Sequence, residues 1–294
     1  MAICPIIAII GGDRRELVLA ERLQEKGYTI RLCGFDKQCL PSAEYFSAPI
    51  DAARGAQALI LPMAGVKRDF TVNCLANAKS LKIDESFFTA LPAKIRVFIG
   101  WASKELKEAA VGVSLVEVAN DEELAVLNSI PTAEGAVAVA INEAPVTLHG
   151  NKAMVIGFGR CAMSLARMLG GIGAKVTVAA RKAAARARAV EMGFEACKIE
   201  ELSERVQSMA FIFNTVPAPM LTGPVLANAR QCYLIVDIAS GGGTDFQAAL
   251  DYGIKAILAP GLPGKVAPLT AGEILARVYP RLLNEFGIGG GKTK

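Results

Sequence analysis

The sequence predicts an α/β protein built from two doubly wound parallel-sheet domains. Strand-like and helix-like segments alternate along the 294 residues, first from the amino terminus and again from about Gly150. This alternation is typical of parallel strands joined by right-handed crossover helices. The composition agrees, because 52% of the residues are hydrophobic and only 6% are aromatic, as expected for Val- and Ile-rich strands covered by Ala-rich helices.

In the first half, strands are predicted at residues 6–10, 28–33, 58–61, 95–99 and 113–117. A helix over residues 15–26 has apolar residues at helical spacing and stops at Gly27. A second helix is predicted over residues 132–141, with Ser129 or Thr132 as its cap and Pro131 near its first turn. We therefore expect a domain at 1–128 and a connecting helix within 129–149.

The second half repeats the pattern more clearly. Strands are predicted at 152–156, 175–179, 211–215, 234–238 and 256–258, and helices at 160–169 and 183–192. They define a second domain at residues 150–268. A last helix over 270–286 and a loose, glycine-rich and basic tail form the segment 269–294.

Composition excludes several classes of protein. The net charge of +4 comes without a basic stripe, so no nucleic acid partner is expected. Seven scattered cysteines without C-x-x-C favour a reducing, cytoplasmic compartment, with neither disulfides nor a metal site. The sequence contains no run of 18 apolar residues, so no membrane span is expected. A single histidine and the lack of G-x-S-x-G argue against zinc and serine hydrolases.

A glycine-rich turn predicts a dinucleotide site in the second domain. It has the form G-x-G-x-x-A, follows an apolar strand and opens a helix, which is the setting of a Rossmann dinucleotide-binding domain. The free N–H groups of the helix would face the cofactor phosphates. The alternative is a tight turn without a ligand. The residues are Gly157, Phe158, Gly159, Arg160, Cys161 and Ala162.

The end of the next strand favours NADP over NAD. An NAD site commonly ends this strand with Asp or Glu, which binds the ribose 2′-hydroxyl. Here the strand ends in Arg181 and Lys182, and a guanidinium can bind a 2′-phosphate through two hydrogen bonds. A solvated basic helix start is the alternative interpretation.

Several segments, in order along nearly the whole chain, resemble the dipicolinate synthase A-chain family. The most specific are Asn-Ser-Ile-Pro-Thr-Ala-Glu-Gly at 128–135 and Ala-Pro-Gly-Leu-Pro-Gly at 259–264. Others are Gly-Gly-Asp-Arg-Arg at 11–15, Gly-Phe-Gly-Arg at 157–160, Asn-Thr-Val-Pro at 214–217, Asp-Ile-Ala-Ser at 237–240 and Gly-Gly-Thr-Asp-Phe at 242–246.

This resemblance implies an NADP-dependent dehydrogenase that oxidises a dihydrodipicolinate-type precursor to pyridine-2,6-dicarboxylate during endospore formation. It also implies a flavoprotein B chain as partner and the cytoplasm of the mother cell as location, and we expect a homo-oligomer. A small dicarboxylate substrate requires cations and N–H donors. The first domain is then expected to supply much of the substrate site.

Candidate site residues follow from the motifs and the resemblance. Catalytic or substrate-binding roles are expected for Arg14, Ser129, Thr132, Glu134, Ser240 and Asp245. Residues expected to line the nicotinamide ribose are Asn214, Thr215, Val216 and Pro217. For several of these a structural role is equally open: Arg14 as a solvated charge, and Ser129, Thr132 and Asp245 as helix caps.

Two other functions fit parts of the pattern. A two-domain 2-hydroxy-acid or amino-acid dehydrogenase would share the architecture, but 2-hydroxy-acid chemistry usually employs a histidine base. The single histidine, His149, precedes the second-domain strand and is expected at a hinge. A non-catalytic NADP-binding partner of the flavoprotein is the other alternative.

Overall fold

The computed structural model describes residues 4–76, 80–92 and 94–289. Its strands, in chain order, are β1 Ile6–Ile10, β2 Thr29–Cys33, β3 Glu44–Phe46, β4 Ala58–Ile60, β5 Thr71–Val72, β6 Leu81–Lys82, β7 Arg96–Ile99, β8 Ser114–Glu117, β9 Lys152–Ile156, β10 Lys175–Ala179, β11 Glu195–Cys197, β12 Phe211–Asn214, β13 Leu234–Asp237 and β14 Lys255–Leu258.

The α-helices alternate with these strands. They are α1 Arg14–Glu25, α2 Pro49–Ala53, α3 Glu85–Thr89, α4 Lys104–Ala109, α5 Glu122–Glu143, α6 Arg160–Ile172, α7 Ala183–Glu191, α8 Leu202–Arg205, α9 Gly223–Leu226, α10 Phe246–Asp251, α11 Leu262–Val266 and α12 Pro268–Glu285.

The chain divides into two compact units, one of residues 1–127 with 267–294 and the other of residues 128–266. The first unit holds a sheet of order β3-β2-β1-β4-β7-β8, and the second a sheet of order β11-β10-β9-β12-β13-β14. Every pairing within these two sheets is parallel. Both follow the 3-2-1-4-5-6 order of dinucleotide-binding sheets, and the predicted fold class is confirmed.

Each sheet reverses its strand order beside its first strand. The reversal lies between β1 and β4 in the first unit and between β9 and β12 in the second. Loops that leave adjacent strands in opposite directions open a crevice at the carboxyl edge, where open α/β sheets bind ligands. Ligand-binding residues are therefore expected in the loops after β1, β4, β9 and β12.

In the first unit the terminal helix α12 packs on α1. A Cβ atom added at Gly272 would fall 2.5 Å from the Val18 Cβ atom, so glycine allows the close approach of the two helices. The end of α12 is docked as well: Ile288 is 7% exposed and its carbonyl accepts a hydrogen bond from the Tyr28 hydroxyl at 3.1 Å. The prediction of a loose tail is therefore wrong at Ile288, and residues 290–294 lie outside the described residues.

Helix α5 begins ten residues earlier than predicted. Asp121 caps it by accepting a hydrogen bond from the Leu124 N–H at 2.9 Å, and the basic side chain of Arg281 on α12 contacts the same carboxylate. Pro131 consequently lies inside the helix rather than in its first turn. The prediction that Ser129 or Thr132 caps this helix is wrong, because an earlier carboxylate supplies the cap.

The division between the two units falls within α5, after Leu127. Beyond this point the helix buries Ala133, Ala136 and Ala140 in the core of the second unit. By length and composition alone α5 could span a membrane, with a mean hydropathy of 1.5. Core helices often have the same length and hydropathy. The buried alanines show that α5 is a core helix of the second unit.

Candidate functional site

The turn after β9 has the geometry of a phosphate-binding loop. Gly157 adopts a φ of +96°, and a Cβ atom there would lie 2.5 Å from the Thr215 Oγ1 atom. At Gly159 an added Cβ atom would meet nothing within 4 Å, so the space beside this residue is open. Gly159 is the N-cap of α6 and makes no side-chain capping bond. The helix start thus offers backbone N–H groups and the positive end of its dipole to an anion.

A cavity of about 290 Å³ opens beside this turn. Its walls come from the glycine turn, from the loop after β10 and from apolar side chains beyond them. They include Gly157, Phe158, Gly159, Ala180, Arg181, Lys182, Ala185, Ile199, Val216 and Met220. No Asp or Glu occurs among these described lining residues, so the electrostatic character of the rim is positive.

The basic character of the rim comes from the turn between β10 and α7. Arg181 and Lys182 are both exposed. A third cation, Arg186, holds this turn by donating from its NH1 atom to the carbonyls of Ala180 at 2.8 Å and Arg181 at 2.6 Å. Arg186 was not predicted as part of this turn. The only signal in the sequence was a further basic residue shortly after Arg181 and Lys182.

Arg160 and Cys161 open α6 directly after the glycine turn. Arg160 is exposed, whereas Cys161 is partly buried. Burial raises the pKa of the Cys161 thiol and outweighs the lowering effects of the Arg160 charge and the neighbouring Thr132 hydroxyl. The thiol is therefore not an acidified nucleophile, and its position fits a small residue packed under the turn.

A buried amide–carboxylate pair organises the loops after β12 and β13. The Asn214 Nδ2 atom donates to Asp237 Oδ1 and to the Val216 carbonyl, each at 3.1 Å. Asp237 also accepts from the N–H of Ala239 at 3.1 Å, and from the Gly243 N–H and the Thr244 hydroxyl at 2.7 Å. Asn214 and Asp237 are both 0% exposed. The pair fixes the backbone of both loops, and Asp237 was missed by sequence reasoning.

The remaining candidates after β12 and β13 surround this pair. The Thr215 hydroxyl donates to the Ile156 carbonyl at 2.8 Å and so ties the loop to β9. Val216 lines the cavity, and Pro217 and Ser240 are exposed. Asp245 is the N-cap of α10, accepting from the Ala248 N–H at 3.0 Å.

The candidates on α5 lie against α6. The Ser129 Oγ atom is 2.7 Å from the Ser164 Oγ atom, and Ser129 is 2% exposed. The Thr132 hydroxyl donates to the Asn128 carbonyl at 2.7 Å, one turn back along the helix. Glu134 is exposed. Ser129 thus joins α5 to the helix that begins at the glycine turn, whereas the Thr132 hydroxyl bonds within α5.

In the first unit, Glu16 joins the two loops at the strand reversal. Its Oε2 atom accepts from the Asp13 N–H at 2.8 Å and its Oε1 atom from the Met63 N–H at 2.7 Å. Asp13 caps α1 and pairs with the buried Arg15, whose NH2 atom lies 2.8 Å from Asp13 Oδ2. The next residue toward solvent is Arg14, which is exposed.

Protonation of this cluster reflects its burial. Burial raises the pKa of Glu16, which the Arg15 charge lowers and the Asp13 charge raises further. Burial also disfavours ionised Asp13, but the hydrogen bonds and charge of Arg15 outweigh it and hold the pKa of Asp13 below its usual range. The loops after β1 and β4 are therefore held by one ion pair and one bridging carboxyl.

Other chemistries find no support within the described residues. All seven cysteines are free, and no group of three or more His, Cys, Asp or Glu residues could hold a metal. The His149 Nδ1 atom lies 2.9 Å from the Ile172 carbonyl at the end of α6. This places His149 at the amino edge of the second sheet, opposite the glycine turn.

Two family models match separate parts of the chain. Residues 6–119 match the N-terminal domain of the dipicolinate synthase A chain. Residues 133–252 match the NAD-binding domain of D-isomer-specific 2-hydroxyacid dehydrogenases. The two matches fall in the two structural units and include their strand-reversal loops.

Known proteins resemble the chain over nearly its whole length. The dipicolinate synthase A chain of Bacillus subtilis (strain 168) is 38% identical over 291 residues, which cover 97% of this chain and 98% of that protein. The crystal structure of the dipicolinate synthase A chain from Bacillus halodurans is 35% identical with a TM-score of 0.88, covering 95% of this chain and 97% of that one. The crystal structure of the A chain from Bacillus subtilis is 37% identical with a TM-score of 0.87, covering 98% of each chain.

Proposed function

Since the chain belongs to the dipicolinate synthase A-chain family, we propose that it is the NADP-dependent dehydrogenase component that oxidises a dihydrodipicolinate-type precursor to pyridine-2,6-dicarboxylate. The second unit carries a dehydrogenase-type dinucleotide-binding domain. The observation that carries the cofactor choice is the basic turn of Arg181 and Lys182 on the cavity rim.

The cavity fits the adenosine end of a phosphorylated dinucleotide. Ile199 and Met220 would supply apolar wall for the adenine, and Arg181 and Lys182, which line the same cavity, would bind the ribose 2′-phosphate. A guanidinium can donate two parallel hydrogen bonds to a phosphate, and a free 2′-hydroxyl would find no carboxylate among the lining residues. Both effects favour NADP.

The glycine turn fits the cofactor diphosphate. The open space at Gly159 allows phosphate oxygens to approach the backbone, which a side chain would prevent. The N–H groups at the start of α6 then donate to the anion, and Arg160 adds a positive charge. Ala162 belongs to the same core cluster as Val155 of β9, Cys161 beside it is partly buried, and Phe158 forms part of the wall.

Substrate chemistry requires two carboxylates to be held and a ring carbon to be placed against the cofactor. A bound nicotinamide would supply the hydride acceptor for oxidation of the partly reduced ring, which would become aromatic on loss of a hydride and a proton. We assign Arg14 to a substrate carboxylate, and Glu134, Ser240 and Asp245 to substrate contacts. Ser129 and Thr132 are assigned to the same catalytic site, where the contact between Ser129 and Ser164 also holds α5 against α6. The loop Asn214–Pro217 is assigned to the nicotinamide ribose, with Asn214 shaping its backbone.

The proposal extends to the cellular setting. The relatives are named as one chain of a synthase, which implies assembly with a second kind of chain, and we propose a flavoprotein B chain for this protein. Residence in the mother-cell cytoplasm of a spore-forming bacterium and self-association into a homo-oligomer belong to the same proposal.

A turnover assay tests this function. Purified chain is mixed with freshly generated dihydrodipicolinate-type precursor and either NADP or NAD, and both reduced cofactor and pyridine-2,6-dicarboxylate are measured. We expect both products in equal amounts, with NADP preferred. If both products form only when the B chain is added, the chain is a cofactor-binding partner. Absence of both products with the B chain present contradicts the proposal.

A further inference from the structure

A second cavity of the dinucleotide-binding unit lies at the opposite edge of its sheet. It has a volume of about 480 Å³ and is bordered by the residues that precede or begin β9, β10, β12 and β13. The strands are four to five residues long, so the cavity lies roughly 15 Å from the glycine turn along the strand direction. It is separate from the proposed cofactor site.

Three cations border this cavity, which we call the basic pocket: Lys152, Lys175 and Arg230. Neutral polar groups of Asn151, Ser208 and Gln231 complete its polar lining, and no acidic side chain occurs among the described residues that border it. The Lys152 Nζ atom lies 3.4 Å from the Ser208 Oγ atom. The pocket therefore combines three positive charges with neutral hydrogen-bonding groups.

The sheet register brings two of these charges together. Lys152 and Lys175 are the first residues of β9 and β10 and are direct partners in the parallel ladder. Adjacent strands lie about 4.8 Å apart, and side chains of ladder partners project from the same face. The two exposed ammonium groups repel each other, and an anion bound between them would replace this repulsion by two attractions.

We propose that the basic pocket binds a compact dianion, either a phosphate group or a small dicarboxylate. A dianion would turn the repulsion between Lys152 and Lys175 into two attractions, and Arg230 would add hydrogen bonds in a planar fork. The Tyr233 ring at the border, 48% exposed, supplies an apolar wall suited to the ring of an aromatic dicarboxylate. Only the dicarboxylate alternative rests on the proposed function.

Calorimetric titration with inorganic phosphate and with pyridine-2,6-dicarboxylate, at constant ionic strength in chloride, tests the proposal. The variants are K152Q/K175Q and Arg230→Gln, with Arg167→Gln as a matched control because Arg167 is an exposed cation of the same unit outside the pocket. We expect at least one dianion to bind wild type and the control equally. Binding should weaken roughly tenfold or more in the pocket variants. The tighter dianion identifies the ligand class.

The variant Arg181→Ala separates the pocket from the cofactor site, because phosphate could also bind on the cofactor rim. Dianion binding that survives in this variant, while NADP binding weakens to about the level of NAD, supports the pocket. Dianion binding that disappears in Arg181→Ala and persists in K152Q/K175Q overturns the proposal. Failure of both dianions to bind wild type with a Kd below about 10 mM overturns it too. NADP affinity in the pocket variants should equal that of wild type, whatever the outcome for the cofactor proposal.

Thermal unfolding in chloride provides a second measurement, in which the variant should lose dianion binding without losing stability. Removing one lysine of an unfavourable pair should leave the Tm of Lys175→Gln equal to or above that of wild type, while the increase produced by the dianion is lost. A Tm below that of wild type in chloride alone would mean that Lys175 already has a stabilising partner within the protein, and would overturn the proposal.

Discussion

Asn214 and Asp237 end neighbouring strands of the second sheet and are joined by a 3.1 Å hydrogen bond from the Asn214 Nδ2 atom to the Asp237 Oδ1 atom. Both side chains are fully buried. The Asp237 carboxylate accepts from a side-chain amide, a hydroxyl and two backbone N–H groups. One carboxylate thus fixes two loops at the carboxyl edge of the sheet.

Asp237→Ala should destabilise the protein severely. The substitution leaves several buried donors without an acceptor, and each such group costs about 1–3 kcal/mol. We expect the free energy of unfolding to fall by about 3 kcal/mol or more, measured by urea denaturation. Thr244→Val removes one donor only and should cost about 1–3 kcal/mol. Equal stability of Asp237→Ala and wild type would show that the network does not hold the loops.

Two glycine substitutions should separate folding from nucleotide binding. Gly159 has a φ of −87° and open space around it. The entropic gain of Gly159→Ala and the poorer N-cap oppose each other, so stability should change by no more than about 1 kcal/mol. Its added methyl group occupies the approach of the cofactor diphosphate, and nucleotide affinity should fall at least roughly tenfold. Thermal unfolding and nucleotide titration on the same preparation provide the two measurements.

Gly157→Ala is the complementary variant. Its φ of +96° disfavours any side chain, and the new Cβ atom would meet the Thr215 hydroxyl at 2.5 Å. We expect a loss of about 1–3 kcal/mol of stability together with the loss of binding. Retention of full stability in this variant would contradict the geometry of the turn.

Glu16 should impose a pH dependence on the first unit. Its folded-state pKa is raised above the ordinary value of 4.5 by burial, so the folded protein holds this proton more tightly than the unfolded chain. The contribution of this proton to the free energy of unfolding is fully present below pH 4.5, and it is lost as pH rises from there through the folded-state pKa of Glu16. Asp13 has a lowered folded-state pKa, so its contribution to stability is present above its ordinary pKa of 3.8 and is lost as pH falls through the folded-state pKa.

The measurement is urea unfolding of wild type and Glu16→Gln across pH 4 to 8. We expect the variant to be less stable overall, because an amide nitrogen cannot accept from the Asp13 or Met63 N–H. The difference between wild type and variant should shrink as pH rises. Glu21→Gln, which changes an exposed carboxylate of the same helix, should follow wild type, and a constant difference for Glu16→Gln would refute the assignment.

The sequence predicted those features that depend on short segments. The glycine turn follows a strand and opens a helix, and the chemistry of Gly157 and Gly159 is local, so the motif sufficed to locate the candidate cofactor site. Arg181 and Lys182 could be placed because the end of the second strand has a fixed relationship to that turn. The fold class and ten of the strands followed from periodicity and were confirmed, whereas the short strands β3, β5, β6 and β11 were not predicted.

Features that depend on distant segments could not be predicted in this way. Glu16 lies 47 residues from Met63, and Asp237 lies 23 residues from Asn214. Their pairings depend on strand order, which periodicity does not give. The start of α5 was missed because Pro131 fits a first turn, while the true cap, Asp121, depends partly on Arg281 of α12. Lys152 and Lys175 are neighbours only through sheet register.

We propose that the basic turn after β10 binds the 2′-phosphate of NADP. Titration of NADP and NAD into wild type, Arg181→Ala and the control Arg188→Ala tests this binding directly, because Arg188 is an exposed cation of α7, the helix after the turn, and lies outside the cavity lining. We expect wild type and the control to prefer NADP by roughly tenfold or more, and Arg181→Ala to lose most of that preference while NAD affinity is unchanged. An unchanged ratio of NADP to NAD affinity in Arg181→Ala, or no nucleotide binding by the folded wild type, would contradict 2′-phosphate binding at this turn.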